Sequence, residues 1–215
     1  MSTYSAVVRF FQEGGMFMYP IMVVMAAGLA IAVERYLYLS RSRAVNRKMW
    51  DDLMPVLQSG KYQQALTAVS KSNTAISKML SYGLSRVRTA RRREDIEMAM
   101  EEGLMEIIPR LEKRTHYLAS FANIATLLGL LGTIIGLIQA FTAVANANPA
   151  EKAELLSSSI SVAMNTTAFG LIVAIPLLLV YAVLQSKTTQ IVDSLEMASV
   201  KFLNMVTERT KTEAA

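Results

Sequence analysis

Two long stretches of this chain carry no Asp, Glu, Lys, Arg or His side chain. One runs from Tyr117 to Ala150, over 34 residues, and the other from Leu155 to Ser186, over 32 residues. A helix of roughly 20 apolar residues is long enough to cross the hydrocarbon core of a bilayer. A third uncharged stretch, Gly14 to Val33, has 20 residues and just reaches this length. The sequence therefore predicts an integral membrane protein with three transmembrane helices.

The composition agrees with this class and argues against several others. Hydrophobic residues make up 53% of the chain, and its mean hydropathy of +0.33 is high for a soluble domain. The long stretches lack the strict alternation of β-barrel strands. The chain has no Cys and a single His, His116, so we expect no disulfide, no metal site and no cofactor. We find no nucleophile–base pair or phosphate loop, and therefore expect no catalytic residues and no enzyme.

The basic residues are concentrated between the first two predicted spans. The segment from Arg41 to Arg114 holds 15 of the 22 Lys and Arg residues. The positive-inside rule places this segment and the C-terminus in the cytoplasm, with the N-terminus outside. The net charge of +5 thus follows the membrane topology and does not indicate nucleic-acid binding. Two interpretations of the run Arg91 to Arg93 stay open, which are a solvated turn and a contact with anionic phospholipid.

We predict an all-α membrane protein in which two transmembrane helices extend into a cytoplasmic helical bundle. One helix is expected from Glu94 to about Ala145, bent at Pro109, and the third span is expected to continue as a helix beyond the membrane. The predicted segments are an outer interfacial helix at 1–15, spans at 16–39, 117–145 and 157–184, a cytoplasmic helical region at 40–116, an outer loop at 146–156 and a cytoplasmic C-terminal helix at 185–215.

Spans two and three each have one face of small or weakly polar residues. Successive residues on a helix are rotated by about 100°, so residues three and four apart share a face. Such faces allow two helices to approach closely. Pro176 removes a backbone donor from span three and predicts a bend there. The small-face residues are Gly129, Gly132, Gly136, Ala163, Gly170 and Ala174, and the hydroxyl and amide side chains on or beside them are Thr126, Thr133, Asn165, Thr166 and Thr167.

This pattern has two interpretations, which are helix packing and an ion path. The two spans contain no ionisable group of the kind that carries protons through membranes. A proton conducted here would need a titrating residue from a partner helix packed on the small faces. We interpret Glu34 as half of a membrane-boundary ion pair with Arg35 rather than as a relay. His116 is interpreted as an interfacial residue, with sensing of cytoplasmic pH as the alternative.

Three segments resemble the MotA/TolQ/ExbB proton-channel family. They are Ala125 to Phe141 (ATLLGLLGTIIGLIQAF), Asn165 to Pro176 (NTTAFGLIVAIP) and Gly14 to Leu39, of which the last is similar to the ExbB and TolQ branch. Together these segments cover the three spans in order, so the resemblance extends over nearly the whole chain.

The resemblance implies a ring-forming subunit, a homo-pentamer in the bacterial inner membrane. The ring would surround a single-span partner of the ExbD, TolR or MotB type, whose membrane Asp carries the proton. Thr133 and Thr167 match the pore threonines of the family. Flow of ions down the proton motive force would drive work in the periplasm. That work would be TonB-dependent uptake with a TonB- or TolA-like protein, TolQ-like envelope maintenance, or gliding or flagellar motility.

Two positions depart from the family pattern. Val162 stands where ExbB and TolQ commonly have Glu, and Thr126 stands where a Pro is common. The additional hydroxyls of Thr126 and Thr166 leave sodium coupling open, since such oxygens suit hard cations. A passive membrane scaffold is a rival hypothesis from another functional class. A self-contained transporter fits less well, because three spans contain no inverted repeat.

Overall fold

The computed structural model describes residues 14–90 and 92–214, and every regular element in this part of the chain is an α-helix. The helices are α1 (Met18–Gln58), α2 (Tyr62–Ser70), α3 (Ala75–Arg86), α4 (Arg93–Glu112), α5 (Thr115–Asn146) and α6 (Lys152–Ala214). Three helical stretches are long and apolar enough to cross a membrane, namely α1, the stretch that contains α5, and α6. The all-α prediction with three spans is thereby confirmed. Most of the predicted interfacial helix, and Arg91, lie outside the described residues.

The long helix predicted from Glu94 to about Ala145 is interrupted, so this part of the prediction was wrong. The chain leaves helical geometry at Lys113, and Arg114 has a left-handed backbone with φ of 64°. A side chain in this conformation clashes with its own backbone, which is why helices do not pass through it. Pro109 lies inside α4, where the helix continues for three more residues. The interruption carries no Gly or Pro and so left no signal in the sequence.

The other predicted boundaries differ less from the observed ones. Helix α6 continues without interruption for 63 residues and passes through Pro176, as predicted for an extended third span. The connection between α5 and α6 spans residues 147–151 and is shorter than the predicted loop. Helix α1 extends to Gln58, well beyond the predicted end of the first span.

The chain divides into two compact units. The first, which we call the span unit, has residues 14–34 and 114–183 in its described part. The second, the bundle unit, has residues 35–113 and 184–214, apart from Arg91. Each of α1 and α6 contributes residues to both units, so the same helices that cross the membrane also build the bundle.

Within the span unit, α1 packs on α6 through a glycine. A side-chain carbon placed at Gly28 would lie 2.7 Å from Cδ2 of Leu177, so any larger residue would require the Leu177 side chain to shift. Side chains on other faces of α5 and α6 are apolar and exposed, including Leu127, Ile138 and Leu179. Exposed apolar surface of this extent is typical of helices that face lipid or neighbouring membrane helices.

Within the bundle unit, α3, α4 and α6 meet at Gly83. A side-chain carbon placed there would lie 2.7 Å from Cγ of Met100 and 3.1 Å from Cε1 of Phe202. Phe202 is the largest fully buried side chain of the chain's described part. At the edge of the bundle, the Tyr82 hydroxyl donates to the Glu106 carboxylate at 2.9 Å, and this hydrogen bond raises the pKa of Tyr82.

Replacing Phe202 with Ala should destabilise the bundle unit more than any exposed substitution on the same helix. The free energy of unfolding is expected to fall by about 3–5 kcal/mol, because a large aromatic side chain leaves a cavity when it is removed. The matched control is Met197→Ala, at a position that is 57% exposed on α6. Thermal unfolding of the detergent-solubilised full chain measures both. Equal shifts for the two variants would contradict the assignment of this core.

Candidate ion-pathway site

The backbones of α5 and α6 touch at two glycines. A side-chain carbon placed at Gly170 would lie 2.6 Å from the carbonyl oxygen of Ala125 and 3.2 Å from Cα of Gly129. One placed at Gly129 would lie 3.2 Å from Cα of Thr167. These neighbours are backbone atoms and cannot rotate away. The absence of a side chain at both positions is therefore what allows the two helices to approach so closely.

The contact between α5 and α6 continues beyond these two glycines, towards the end of α5 and the start of α6. A carbon placed at Gly132 would lie 2.4 Å from Cγ2 of Thr166, and one placed at Gly136 would lie 2.9 Å from Cβ of Ala163. Because the residue numbers rise on α5 while they fall on α6, the two helices are antiparallel. Five of the six predicted small-face residues thus take part in one contact. The sixth, Ala174, is buried one turn beyond Gly170.

The hydroxyl of Thr167 joins the two spans. It donates to the carbonyl oxygen of Gly129 at 2.8 Å. In an apolar environment a hydrogen bond between helices has no competing water. The neighbouring Thr166 is buried and lies 2.6 Å from the carbonyl oxygen of Gly14 and 3.0 Å from that of Val162. Its one hydrogen is shared between two acceptors, and it connects α6 with the segment that precedes α1.

The two site threonines of α5 bond within their own helix. Thr126 donates to the carbonyl of Ala122 at 3.1 Å, and Thr133 donates to that of Leu130 at 2.6 Å. Such back-bonding satisfies the hydroxyl hydrogen without a second helix. The structure therefore places Thr133 near the α5–α6 contact but gives it no hydrogen bond to Thr167. The oxygen of each hydroxyl keeps lone pairs that accept from an outside donor.

Asn165 differs from the threonines beside it. Its side chain is half-exposed on α6, and within the described part of the chain its amide forms no hydrogen bond. A carboxamide has two donors and an acceptor oxygen, and leaving these unpaired in an apolar setting costs free energy. Asn165 is therefore the group of this site with the greatest need of a hydrogen-bond partner from another molecule.

The ion pair at the end of the first span differs from the predicted one. The carboxylate of Glu34 accepts from Nη1 of Arg114 at 2.9 and 3.0 Å. Arg35 is buried, donates to the carbonyl of Leu111, and lies over the ring of Tyr38. The predicted pairing of Glu34 with Arg35 is thus replaced by one with Arg114. Adjacent residues on a helix point in directions about 100° apart, so Arg35 does not face Glu34. Arg114, which lies between α4 and α5, is better placed to pair with it.

Three further predicted positions have defined surroundings. His116 is exposed in the first turn of α5, with its ring centroid 6.4 Å from that of Tyr181. Pro176 is exposed and α6 passes through it. Cγ1 of Val162 would lie 3.2 Å from a side-chain carbon placed at Gly15, so Val162 packs against the segment that leads into α1.

Chemically, the site offers hydroxyls, carbonyls and one carboxamide, and the two spans supply no carboxylate. Such groups orient and solvate a proton donor or a cation but do not themselves take up a proton. Sequence reasoning missed Gly14, Gly28 and Arg114. Of these, only Gly28 could have been identified from the sequence, because it is a small residue inside an apolar span. The roles of Gly14 and Arg114 depend on which segments come together in the fold.

Comparison with known proteins identifies relatives along most of the chain. The sequence profile of the MotA/TolQ/ExbB proton channel family matches residues 71–197. A protein described as an ExbB homologue from Methanothermobacter thermautotrophicus is 29% identical over 196 residues, which are 90% of this chain and 68% of the relative. An ExbB-like protein of Synechocystis is 29% identical over 185 residues, 85% of this chain and 72% of the relative. The Tol-Pal system protein TolQ of Haemophilus influenzae is 35% identical over 83 residues, 39% of this chain and 36% of the relative.

Replacing Gly170 with Ala should disrupt the contact between α5 and α6. The added carbon would meet a backbone oxygen, so the helices must separate, and overpacking of this kind costs about 1–3 kcal/mol. The matched control is Ala168→Val, which adds two carbons at an exposed position of the same helix. Thermal unfolding in detergent compares them. A control that is destabilised as strongly as Gly170→Ala would contradict the close contact.

Proposed function

The chain belongs to the MotA/TolQ/ExbB proton channel family, and we propose that it is the multi-span subunit of a motor driven by the proton motive force. As a member of this family it is an energy-transducing membrane channel subunit. The finer proposal is that it forms an ion path together with a single-span partner of the ExbD or TolR type. The partner's membrane Asp would carry the proton, and the work would be delivered in the periplasm or at the outer membrane.

One observation carries this proposal. Helices α5 and α6 are held together by glycine contacts and the Thr167–Gly129 hydrogen bond. Their apolar stretches, at 117–146 and 155–186, contain no Asp, Glu, Lys, Arg or His. A path for protons through a membrane requires a group that titrates. The divided arrangement, with polar but non-titrating groups on one chain and a carboxylate on another, meets this requirement.

We assign the path to the threonines and Asn165. Thr133, Asn165 and Thr167 are partly accessible. Thr133 and Thr167 would contact the partner helix, and Asn165, about 200° around α6 from Thr167, would supply its unpaired amide at another face of the helix. Thr126 and Thr166 lie beside them and would support the wall of the path. The glycine contacts occupy the small faces within one protomer, so the partner helix is proposed to lie beside this contact rather than between the two helices.

The proposed assembly is a homo-pentameric ring in the bacterial inner membrane. The exposed apolar side chains of α5 and α6 supply surface for neighbours and lipid. The placement of 15 of 22 basic residues between Arg41 and Arg114 supports a periplasmic N-terminus and a cytoplasmic C-terminus. The relatives named ExbB and ExbB-like are biopolymer transport proteins by description, which favours TonB-dependent uptake. TolQ-like envelope maintenance and a gliding or flagellar stator are the alternatives.

Replacing Thr167 with Val should impair ion-driven function by about tenfold, because the isosteric side chain loses the hydrogen bond to Gly129 and a polar group of the path. Thr167→Ser keeps the hydroxyl and is the matched control. Proton flux into proteoliposomes that contain the chain and its partner measures the effect, and the mass of the complex shows that assembly is intact. Wild-type flux in the Val variant would contradict the pore assignment and favour the passive scaffold.

Purification from the native membrane in mild detergent should recover the chain with a second protein. We expect a ring that holds a single-span protein with one Asp in its apolar segment, because the apolar stretches of α5 and α6 contain no Asp, Glu, Lys, Arg or His of their own. Mass spectrometry identifies the companion, and its periplasmic domain indicates the process that is driven. A chain that is recovered alone would contradict the motor proposal.

A further inference from the structure

A cavity of about 350 Å³ lies in the bundle unit, next to the end of the first span. Its walls come from α1, from the start of α3 and from α4, so three helices line it. The residues that matter for its chemistry are Tyr38, Arg41, Asn46, Thr74, Lys78 and Arg110. The ion path described above uses none of them.

The lining of this cavity is positively charged. Arg41, Lys78 and Arg110 line it, and no carboxylate does. Arg110 forms an ion pair with Glu106 one turn away. Within the described part of the chain, Arg41 and Lys78 form no ion pair. Cations brought together around a cavity repel one another, and an anion bound between them relieves that repulsion.

The start of α3 adds to the positive potential. The side-chain oxygen of Asn46, which is 4% exposed, accepts from the backbone amide of Ile76 at 3.1 Å. The hydroxyl of Thr74 accepts from the amide of Ser77 at 3.2 Å. These two bonds fix the N-terminus of a 12-residue helix at the cavity. The partial positive charge of a helix N-terminus reinforces anion binding by neighbouring basic side chains.

The position of the cavity residues along α1 indicates which anion binds there. Tyr38 is five residues beyond Val33, where the uncharged stretch ends, and Arg41 is three residues further. At a rise of 1.5 Å per residue these positions are about 8 and 12 Å along the helix from that end. The headgroup layer of a bilayer is roughly 5–7 Å thick on each side, so Tyr38 lies at its edge and the backbone of Arg41 lies beyond it. Side chains on a helix lean toward its N-terminus, which for α1 is the direction of the membrane, so the long Arg41 side chain extends back toward the headgroups. Tyr38 is half-exposed, and tyrosines are typical of this layer.

We propose that this cavity binds the phosphate of an anionic phospholipid headgroup. Arg41 and Lys78 supply the unpaired charges, Arg110 and the start of α3 supply additional potential, and the exposed ring of Tyr38 lies against the lipid. The proposal requires only that the first span crosses the membrane. It does not depend on ion conduction or on the partner, and its test measures lipid binding alone.

The test compares lipid retention by the full-length chain after delipidation in detergent. Phosphatidylglycerol and phosphatidylcholine are added back separately, and native mass spectrometry counts the bound lipids. We expect phosphatidylglycerol to be retained in preference. In the double variant Arg41→Gln/Lys78→Gln, its affinity should fall by about tenfold or more, because each basic residue near an anionic headgroup contributes a several-fold gain.

The matched control is Arg47→Gln/Lys48→Gln, which removes two exposed charges from the same helix outside the cavity. It should leave the affinity unchanged. Arg41→Lys keeps the charge and should retain most of the binding, which separates lost charge from misfolding. Equal losses in the control, or equal retention of the two lipids, would overturn the site. Inorganic phosphate that competes as strongly as the lipid would overturn the assignment to a lipid.

Discussion

The contact between the backbones of α5 and α6 is the constraint on which the membrane part of this protein depends. Helices in lipid gain nothing from burying apolar surface, since the lipid tails are equally apolar. Close packing and hydrogen bonds must hold them together instead. Gly129 and Gly170 provide the first, and the Thr167 hydroxyl provides the second by reaching the carbonyl of Gly129. Thr166 extends the same network to Gly14 and thereby ties α6 to the segment before α1.

A closely packed pair of membrane spans without charge has a functional advantage in the proposed motor. An ionisable residue at the centre of a transmembrane helix costs several kcal/mol or more unless a partner solvates it. A chain that keeps its spans neutral inserts without this cost and leaves the titrating group to a second protein. Val162 illustrates the choice. It packs towards Gly15. The family resemblance of the sequence implies Glu at the position of Val162, and with Val there the chain has no carboxylate of its own at that point.

Local patterns in the sequence predicted the spans and their small faces, because both depend on residues within one or two turns of each other. Uncharged length determined the three helices, and the 100° repeat grouped Gly129, Gly136 and Gly170 with their neighbours. The break at Arg114 and its pairing with Glu34 depend on two segments separated by 80 residues. Arg114 is a residue of ordinary helix preference, so its left-handed backbone is imposed by tertiary structure. The unpaired amide of Asn165 likewise emerged only once its neighbours were placed.

The direction of the hydroxyl hydrogens bears on which ion the proposed path favours. Thr126, Thr133 and Thr167 each donate to a main-chain carbonyl within this chain. A hydroxyl whose hydrogen is committed presents only lone pairs to an incoming group. Those lone pairs accept from a protonated carboxyl and repel a deprotonated one. A partner Asp beside these threonines would therefore be stabilised in its neutral form, which is the form that crosses an apolar layer at least cost. The donors of the Asn165 amide would stabilise the ionised form instead, but this side chain lies about 200° around α6 from Thr167, so the hydroxyls and the amide act at different faces of the helix.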